Sequence, residues 1–209
     1  MDYKPADFFI NVVDFFAVLL PGALFMAVYS DRLRQSAVGV VSPALLTGAG
    51  GVASFVVGSY LFGHIFFLIG SLADYAYNAL LPRVVTEAKN QAFKVADDLR
   101  KQLTGVTASA FNTYQWCITY LRVRKPSYLE PIERLEADSK FFRTLVPVFL
   151  ASLWPICNAG HGRLACFVII LAVLSVWRYA ERRWKANRLA FWLVIEDARG
   201  QRSAERTAT

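Results

Sequence analysis

The sequence predicts an all-α integral membrane protein with four transmembrane helices and a helical cytoplasmic insert between the second and the third. The chain of 209 residues is 56% hydrophobic, and its apolar residues are concentrated in long runs. The run from 44 to 72 contains no Asp, Glu, Lys or Arg, and a bilayer core of about 30 Å requires roughly 20 apolar residues of helix. The other segments carry too many charges for a chain that lies wholly in lipid, which predicts a polar region outside the membrane.

Residues 1–72 are predicted to form an N-terminal transmembrane hairpin. Its first helix covers residues 8–29 and contains Pro21 and Gly22. The proline removes one backbone hydrogen bond and is expected to bend the helix, while the glycine lets a neighbouring helix approach. The leader before this helix is not basic, so we expect an uncleaved span rather than a signal peptide.

The second helix of the hairpin is rich in small residues. Helices in lipid gain no hydrophobic energy from contact with each other and associate where small side chains allow close backbone approach. On a helical wheel, Gly51, Ser54 and Gly58 fall on one stripe, and Gly63 and Gly70 fall on another. Two stripes predict two neighbouring helices, and we expect them to assemble the protein as a homo-oligomer.

Residues 73–143 are predicted to form the helical cytoplasmic insert, because hydropathy falls and charges recur at helical intervals. An amphipathic helix is expected from 85 to 103 and ends at Gly105. A second helix is expected from 109 to 123, where a basic run closes it. A third helix, which begins at Pro131, is expected to continue into the membrane.

Two shorter apolar segments, 144–157 and 164–177, predict a C-terminal transmembrane hairpin over residues 144–180. Each segment is short for a full span, so aromatic residues at the membrane boundary are expected to complete it. The tail, residues 181–209, alternates basic and aromatic residues. It is expected to leave the membrane as a helix and to lose fixed structure from Gly200 onward.

The distribution of basic residues predicts the orientation of the chain. Of the 23 Lys and Arg residues, all except Arg32, Arg34 and Arg163 lie on the side that holds both termini and the insert. By the positive-inside rule this side is cytoplasmic. We therefore expect a multi-pass protein of the bacterial inner (plasma) membrane with both termini in the cytoplasm.

Two polar residues of the first helix, Asn11 and Asp14, are the candidate pore-lining residues. They share one helix face, and ionisable groups at membrane depth are costly and usually face water or a partner. If several copies surround an axis, this face lines a cation path. Alternatively, Asp14 pairs with a basic group at the interface. His64 is expected at a similar depth, so Asp14 and His64 are a candidate pair, although His64 also fits a simple packing role.

The residue pattern argues against an enzyme. The chain has two histidines and lacks a nucleophile elbow and a phosphate-binding loop. No metal site is predicted, because Cys157, His161 and Cys166 have no fourth ligand nearby. No cofactor is expected. Cys157 and Cys166 either form a disulfide or remain two unpaired thiols.

The second helix of the insert ends in a candidate patch for a ligand or for lipid. Aromatic and basic side chains alternate there, which suits stacking on bases and binding to phosphates, and equally suits anionic lipid headgroups. The patch consists of Trp116, Tyr120, Arg122, Arg124 and Lys125. It predicts a nucleotide, an oligonucleotide or the lipid bilayer itself as a partner.

In its layout the chain resembles the small multi-span membrane effectors of bacterial anti-phage defence systems. The resemblance is carried by the interrupted first helix with Asp14, Pro21 and Gly22, by the glycine-rich second helix, and by the insert that ends in Arg122-Val-Arg-Lys. It implies an oligomeric channel or pore that is controlled by a cytoplasmic regulatory protein or a nucleotide signal. The alternative is a non-conducting membrane anchor that recruits a cytoplasmic partner protein.

Overall fold

The computed structural model of the protein describes residues 5–37, 47–84, 91–105 and 113–208, with described side chains between residues 15 and 201. Regular structure within these ranges is helical throughout, which confirms the all-α fold class. The helices are α1 (Pro5–Ala37), α2 (Gly48–Val84), α3 (Gln91–Thr104), α4 (Thr113–Arg124), α5 (Leu129–Asn158) and α6 (Gly162–Ala208), with a 3₁₀ turn at Pro126–Tyr128 before α5.

Three stretches in the described part of the chain are long and apolar enough to cross a membrane. They are Gly48–Tyr75 in α2, Pro126–Asn158, which includes α5, and Gly162–Gln201 in α6. Helix length and composition are therefore compatible with a membrane protein, but the described residues contain three such helices and not the predicted four. The remaining predicted span, residues 8–29, falls in α1, whose first side chains lie outside the described residues.

The chain divides into two compact units. The apolar unit comprises Met1–Tyr77 and Ala137–Ala180, and the polar unit comprises Asn78–Glu136 and Glu181–Thr209. Helices α2, α5 and α6 contribute residues to both units. The division on α5 falls between Glu136 and Ala137, before the end of the predicted insert at residue 143.

Many of the buried residues of the apolar unit are small, and large apolar residues cover its surface. Ser59 and Ala172 are buried, whereas Leu68, Trp154 and Trp177 are largely exposed. Such a contiguous apolar surface is unfavourable in water and is what a surface facing lipid requires. Small interior residues are also typical of helices that associate without a hydrophobic driving force.

Helices α1 and α2 approach each other at two glycines. A Cβ atom added at Gly22 would fall on the carbonyl oxygen of Ser59 and 2.7 Å from the nitrogen of Gly63, and one added at Gly63 would fall on the carbonyl oxygen of Val18. Only glycine permits backbones to lie this close. The phenyl ring of Phe25 extends the contact, with its centroid 4.8 Å from that of Phe66.

Helix α2 reaches a second neighbour through Gly70. A Cβ atom there would lie 2.9 Å from the carbonyl oxygen of Arg143 and 3.3 Å from the Cα atom of Thr144, both on α5. The small residues of α2 therefore contact two different helices of the same chain. Gly58, however, lies on the α1 side, where its nearest neighbour is Met26.

The polar unit has a conventional hydrophobic core. Buried side chains from α3, α4, the start of α5 and the end of α6 meet there. The fully buried members are Ala96, Cys117, Leu121, Ile132, Ala186, Ala190 and Val194. Burial of this kind contributes roughly 25 cal/mol per Å² of apolar surface, so this unit is stabilised by the hydrophobic effect in the ordinary way.

One helix end agrees with the prediction and two differ from it. Gly105 ends α3 as predicted, with a positive φ of +66°, and its N–H donates to the Lys101 carbonyl. The expected loss of structure from Gly200 is wrong, because α6 continues to Ala208. A single glycine costs a helix only about 1 kcal/mol, which is too little to end a long helix of good helix formers. Helix α2 likewise continues to Val84, because a fall in hydropathy is not a stop signal.

Asp97 joins α3 to the start of α4. Its carboxylate accepts a hydrogen bond from the Thr113 hydroxyl at 2.7 Å and contacts Arg100 at 2.9 Å and Lys101 at 2.7 Å. Arg100 is itself buried. The hydrogen bond from Lys101, followed by those from Thr113 and Arg100, outweighs burial and lowers the pKa of Asp97 to about 2.

Gly63→Leu is expected to lower thermal stability strongly, because a side chain there meets the Val18 backbone and forces α1 away from α2. Overpacking costs about 1–3 kcal/mol even where side chains can adjust. Gly58→Leu should cost less, since the atom in its way is the flexible end of Met26 at 2.8 Å. Thermal unfolding in detergent measures both, with Gly162→Ala as control because no atom lies within 4 Å of that position. Equal losses at 58 and 63 would contradict this packing.

Asp97→Asn is expected to destabilise the protein at neutral pH, because it leaves buried Arg100 without a carboxylate. The folded-state pKa of Asp97, about 2, lies below the ordinary value of 3.8 for this carboxyl group, so the stabilisation is complete above about pH 5 and is lost as pH falls through 2. The linkage amounts to about 2 kcal/mol. Unfolding curves from pH 7 to pH 2 should converge for wild type and Asp97→Asn. Asp98→Asn, an exposed neighbour on α3, should follow the wild type, and a constant gap at all pH values would refute this origin.

Candidate functional site

Three helices of the apolar unit each contribute one polar side chain to a single cluster. Asp74 follows the apolar run of α2, Arg143 precedes that of α5, and Tyr179 follows that of α6. Antiparallel apolar helices bring such positions to the same end of a bundle. The cluster is named here the Asp74 junction.

The Asp74 carboxylate is used on both oxygens. Nη1 of Arg143 donates to Oδ2, and the Tyr179 hydroxyl donates to Oδ1 at 2.5 Å. The side chain of Arg143 is 9% exposed and that of Asp74 is 27% exposed. The carboxylate therefore joins two other helices to α2 at a site from which water is largely excluded.

Neighbouring groups hold the Arg143 guanidinium in place. Its Cζ atom lies 4.7 Å from the centroid of the Phe67 ring, a cation–π distance. Gly70 brings the backbone of α2 against the carbonyl of Arg143 itself. The buried Nε of Arg143 has no hydrogen-bond partner among the described residues. The guanidinium is thus only partly satisfied and depends on Asp74 for most of its compensation.

Tyr179 is also fixed from a second direction. Its ring packs edge to face on Tyr77 with centroids 5.7 Å apart, and the residue is buried. This packing restricts the Tyr179 side chain and directs its hydroxyl towards Asp74. The Asp74 junction is therefore a closed contact of three helices, in which charge is neutralised only while the helices stay together.

The predicted pore-lining residues Asn11 and Asp14 lie on α1. Their side chains are outside the described residues, and so is one half of the predicted Asp14 and His64 pair. His64 is exposed, and its ring packs edge to face on Tyr60 at 4.5 Å. His64 thus has an aromatic neighbour on its own helix, one turn away.

The predicted packing residues of α2 divide between two environments. Gly58, Gly63 and Gly70 lie against residues of the same chain, while Gly51 and Ser54 are half-buried. The close contacts observed are intramolecular. The predicted homo-oligomer therefore needs surfaces other than the glycines that already contact α1 and α5.

The predicted aromatic and basic patch has a partly structural role. The rings of Trp116 and Tyr120 lie 5.4 Å apart, and Arg124 lies over the Tyr120 ring. The Tyr120 hydroxyl donates to Asp197 of α6 at 2.9 Å, which ties α4 to α6. Burial, and then the bond to Asp197, raises the pKa of Tyr120. Arg122 and Lys125 are exposed at the end of the patch.

The cysteines give no support to the disulfide alternative. Cys157 and Cys166 are exposed free thiols, and Cys117 is a buried one. Burial raises the pKa of Cys117 to about 12, which keeps it an unreactive thiol. Among the described residues there is no group of three or more His, Cys, Asp or Glu side chains with the arrangement of a metal site.

Sequence reasoning missed the Asp74 junction, although a signal for it was present. The sequence pattern gives Arg143 only as a charge at the membrane boundary and Tyr179 only as one of the aromatic residues there, and it assigns no role to Asp74. An acid, a base and a phenol stood at the ends of three apolar runs that the predicted topology places on the same side of the membrane. Comparison of the ends of all the runs would have brought the three residues together.

No protein-family model, curated protein or solved structure matches the chain. Its function is therefore inferred from its own residues and their contacts.

Asp74→Asn is expected to lower stability by roughly 3 kcal/mol, because it leaves the buried charge of Arg143 without its partner. Arg143→Gln should cost less, because the Asp74 carboxylate that it leaves is partly exposed. Tyr179→Phe should cost about 1.5–3 kcal/mol, the value of a hydrogen bond to a charged group. The double variant Asp74→Asn/Arg143→Gln should lose less than the sum of the single losses. Thermal unfolding in detergent measures the cycle. Strict additivity would show that the two side chains do not interact.

Proposed function

We propose that the protein is an oligomeric channel or membrane-perturbing effector of the bacterial inner membrane, gated through its cytoplasmic helical region. The proposed topology has four spans, with α1 as the fourth, and both termini in the cytoplasm. The observation that supports it most is the Asp74 junction, because ionisable residues inside a membrane unit are costly and by default mark a functional site.

The Asp74 junction has the properties of a gate held closed. It neutralises Arg143 only while α2, α5 and α6 remain in contact. Movement of one of these helices exchanges the internal partners of Arg143 for water and lets the helices separate. A buried ion pair contributes little net stability and often serves to define one of two states.

The control region is proposed to be the polar unit. Helices α5 and α6 each provide residues to both units. A ligand or partner protein that favours a different arrangement of the polar unit therefore acts on the same two helices that carry Arg143 and Tyr179. A shift of this kind needs only a difference in affinity between two conformations.

The proposed path runs along α1. Asn11 and Asp14 would line it in an oligomer, with Asp14 favouring cations. Close packing of α1 on α2 through Gly22 and Gly63 keeps α1 within the apolar unit. This assignment involves no chemistry on a substrate, and the layout shared with membrane effectors supports a role in anti-phage defence.

A second candidate function is a non-conducting membrane anchor that recruits a cytoplasmic protein. It is favoured by the exposed end of α4, where Arg122, Arg124 and Lys125 surround an exposed Val123. Basic side chains around an apolar residue suit an acidic partner surface. This candidate predicts a copurifying soluble protein and tolerance of substitutions at Asp14 and His64.

Planar-bilayer recordings of the purified protein test the channel. Asp74→Asn is expected to raise the open probability about tenfold without any ligand, because it weakens the closed junction by roughly 1.4 kcal/mol or more.

Asp14→Asn is expected to reduce the preference for cations over anions. Asp98→Asn, on the exposed face of α3, provides a charge-matched control. Absence of current from both wild type and Asp74→Asn would exclude a channel and favour the anchor.

A further inference from the structure

The polar unit contains an open cleft that the predicted patch does not describe. Its volume is about 510 Å³, which lies in the range of small-ligand pockets. It is lined by Tyr114, Gln115, Trp116, Ile118, Thr119, Glu136 and Arg183. Only Trp116 belongs to the aromatic and basic patch predicted from the sequence.

Tyr114 holds Glu136 in a fixed orientation at one side of the cleft. Its hydroxyl donates to Oε1 of Glu136 at 2.6 Å, and Tyr114 is buried. Burial, and then the bond to Glu136, raises the pKa of Tyr114 well above its usual range, so the phenol remains a donor. The other carboxylate oxygen of Glu136 makes no hydrogen bond with the described residues and is available to a ligand.

Arg183 supplies a cation to the same cleft. Its Cζ atom lies 5.8 Å from the centroid of the Tyr114 ring, which positions the guanidinium over a buried aromatic face. Within the described part of the chain no carboxylate lies within ion-pair distance of it. A positioned guanidinium without an internal carboxylate partner is suited to a bidentate contact with a phosphate.

Trp116 provides a flat apolar wall. It is half-buried, and its ring is supported from outside by Tyr120 at 5.4 Å. Tyr120 is in turn fixed by its bond to Asp197. A supported indole is a stacking surface for a planar ring, and stacking of a base on an aromatic side chain is worth about 1–3 kcal/mol.

We propose that this cleft binds a nucleoside monophosphate with a guanine base. The base stacks on Trp116, its adjacent N–H groups donate to Glu136, and its phosphate contacts Arg183. A carboxylate accepts two N–H groups from guanine, whereas adenine presents a ring nitrogen acceptor beside its amino group and repels it. The assignment rests on the proposed function in one respect only: it makes this ligand the signal that controls the effector.

Isothermal titration calorimetry of the full chain in detergent, with GMP as the probe, tests the site. Wild type should bind GMP saturably and prefer it by about tenfold or more over guanosine, inorganic phosphate and AMP. Arg183→Gln should weaken GMP binding about tenfold or more and leave guanosine binding unchanged, and Arg183→Lys should restore part of the loss. Arg188→Gln is the matched control, because Arg188 is exposed on the same helix and lies over Trp184 instead.

Two further variants separate the contacts to the base. Trp116→Leu should weaken GMP and guanosine binding alike, by about 5-fold to 100-fold. Glu136→Gln keeps an acceptor for the Tyr114 hydroxyl and should abolish the preference for GMP over AMP, because an amide pairs with adenine. Unchanged preference in Glu136→Gln would overturn the assignment of the base.

Other outcomes also overturn the proposal. Inorganic phosphate that binds as tightly as GMP would show an anion site without base recognition. An oligonucleotide that binds while GMP does not, or a loss with Arg188→Gln equal to that with Arg183→Gln, would place the ligand outside this cleft. If Asp74→Asn conducts current but the protein does not bind GMP, the proposed ligand site is wrong and the proposed channel stands. If the protein binds GMP but no current is seen, the ligand site stands and the channel is wrong.

Discussion

One carboxylate holds the apolar unit together at its polar end. If this unit lies in a membrane, as proposed, the hydrophobic effect does little to join its helices, because lipid is as apolar as a helix surface. Contact must come from close backbone approach and from polar groups that have no better partner. Gly22, Gly63 and Gly70 provide the first, and Asp74 provides the second by accepting from Arg143 and Tyr179. Both oxygens of the Asp74 carboxylate accept a hydrogen bond. Loss of either bond therefore leaves the carboxylate less firmly held for the remaining one.

Helix α6 packs differently in the two units to which it contributes residues. In the apolar unit, α6 buries small residues such as Ala172 and Ser175 and exposes large ones such as Trp177. In the polar unit it buries Ala190 and Val194 in a core that excludes water. The change from one regime to the other explains why α6 is continuous although its composition is not. Helix propagation needs only local hydrogen bonds, while the surrounding solvent decides which face is buried.

Hydropathy and helical periodicity were sufficient to predict the all-α class and the end of α3 at Gly105. They were not sufficient to predict the junction, because Asp74, Arg143 and Tyr179 are far apart in the sequence and only tertiary packing brings them together. Residue type alone also selected the members of the aromatic and basic patch. The Tyr120 hydroxyl donates to Asp197 and so has a structural role. Arg183, which the sequence gives only as part of a basic tail, lines the cleft. No pattern within one segment distinguishes a cation that is paired from one that is not.

Two tyrosines of α4 make equivalent bonds to two different helices. Tyr114 donates to Glu136 of α5, and Tyr120 donates to Asp197 of α6. Their pKa values are both raised, so both phenols stay protonated and α4 remains fixed to both helices at physiological pH. A ligand that contacts Glu136 and Arg183 together therefore acts on α5 and α6 without having to displace α4. A ligand shifts an equilibrium only by the difference in its affinity for the two states. The proposed signal must therefore bind Glu136 and Arg183 more tightly in one arrangement of α5 and α6 than in the other.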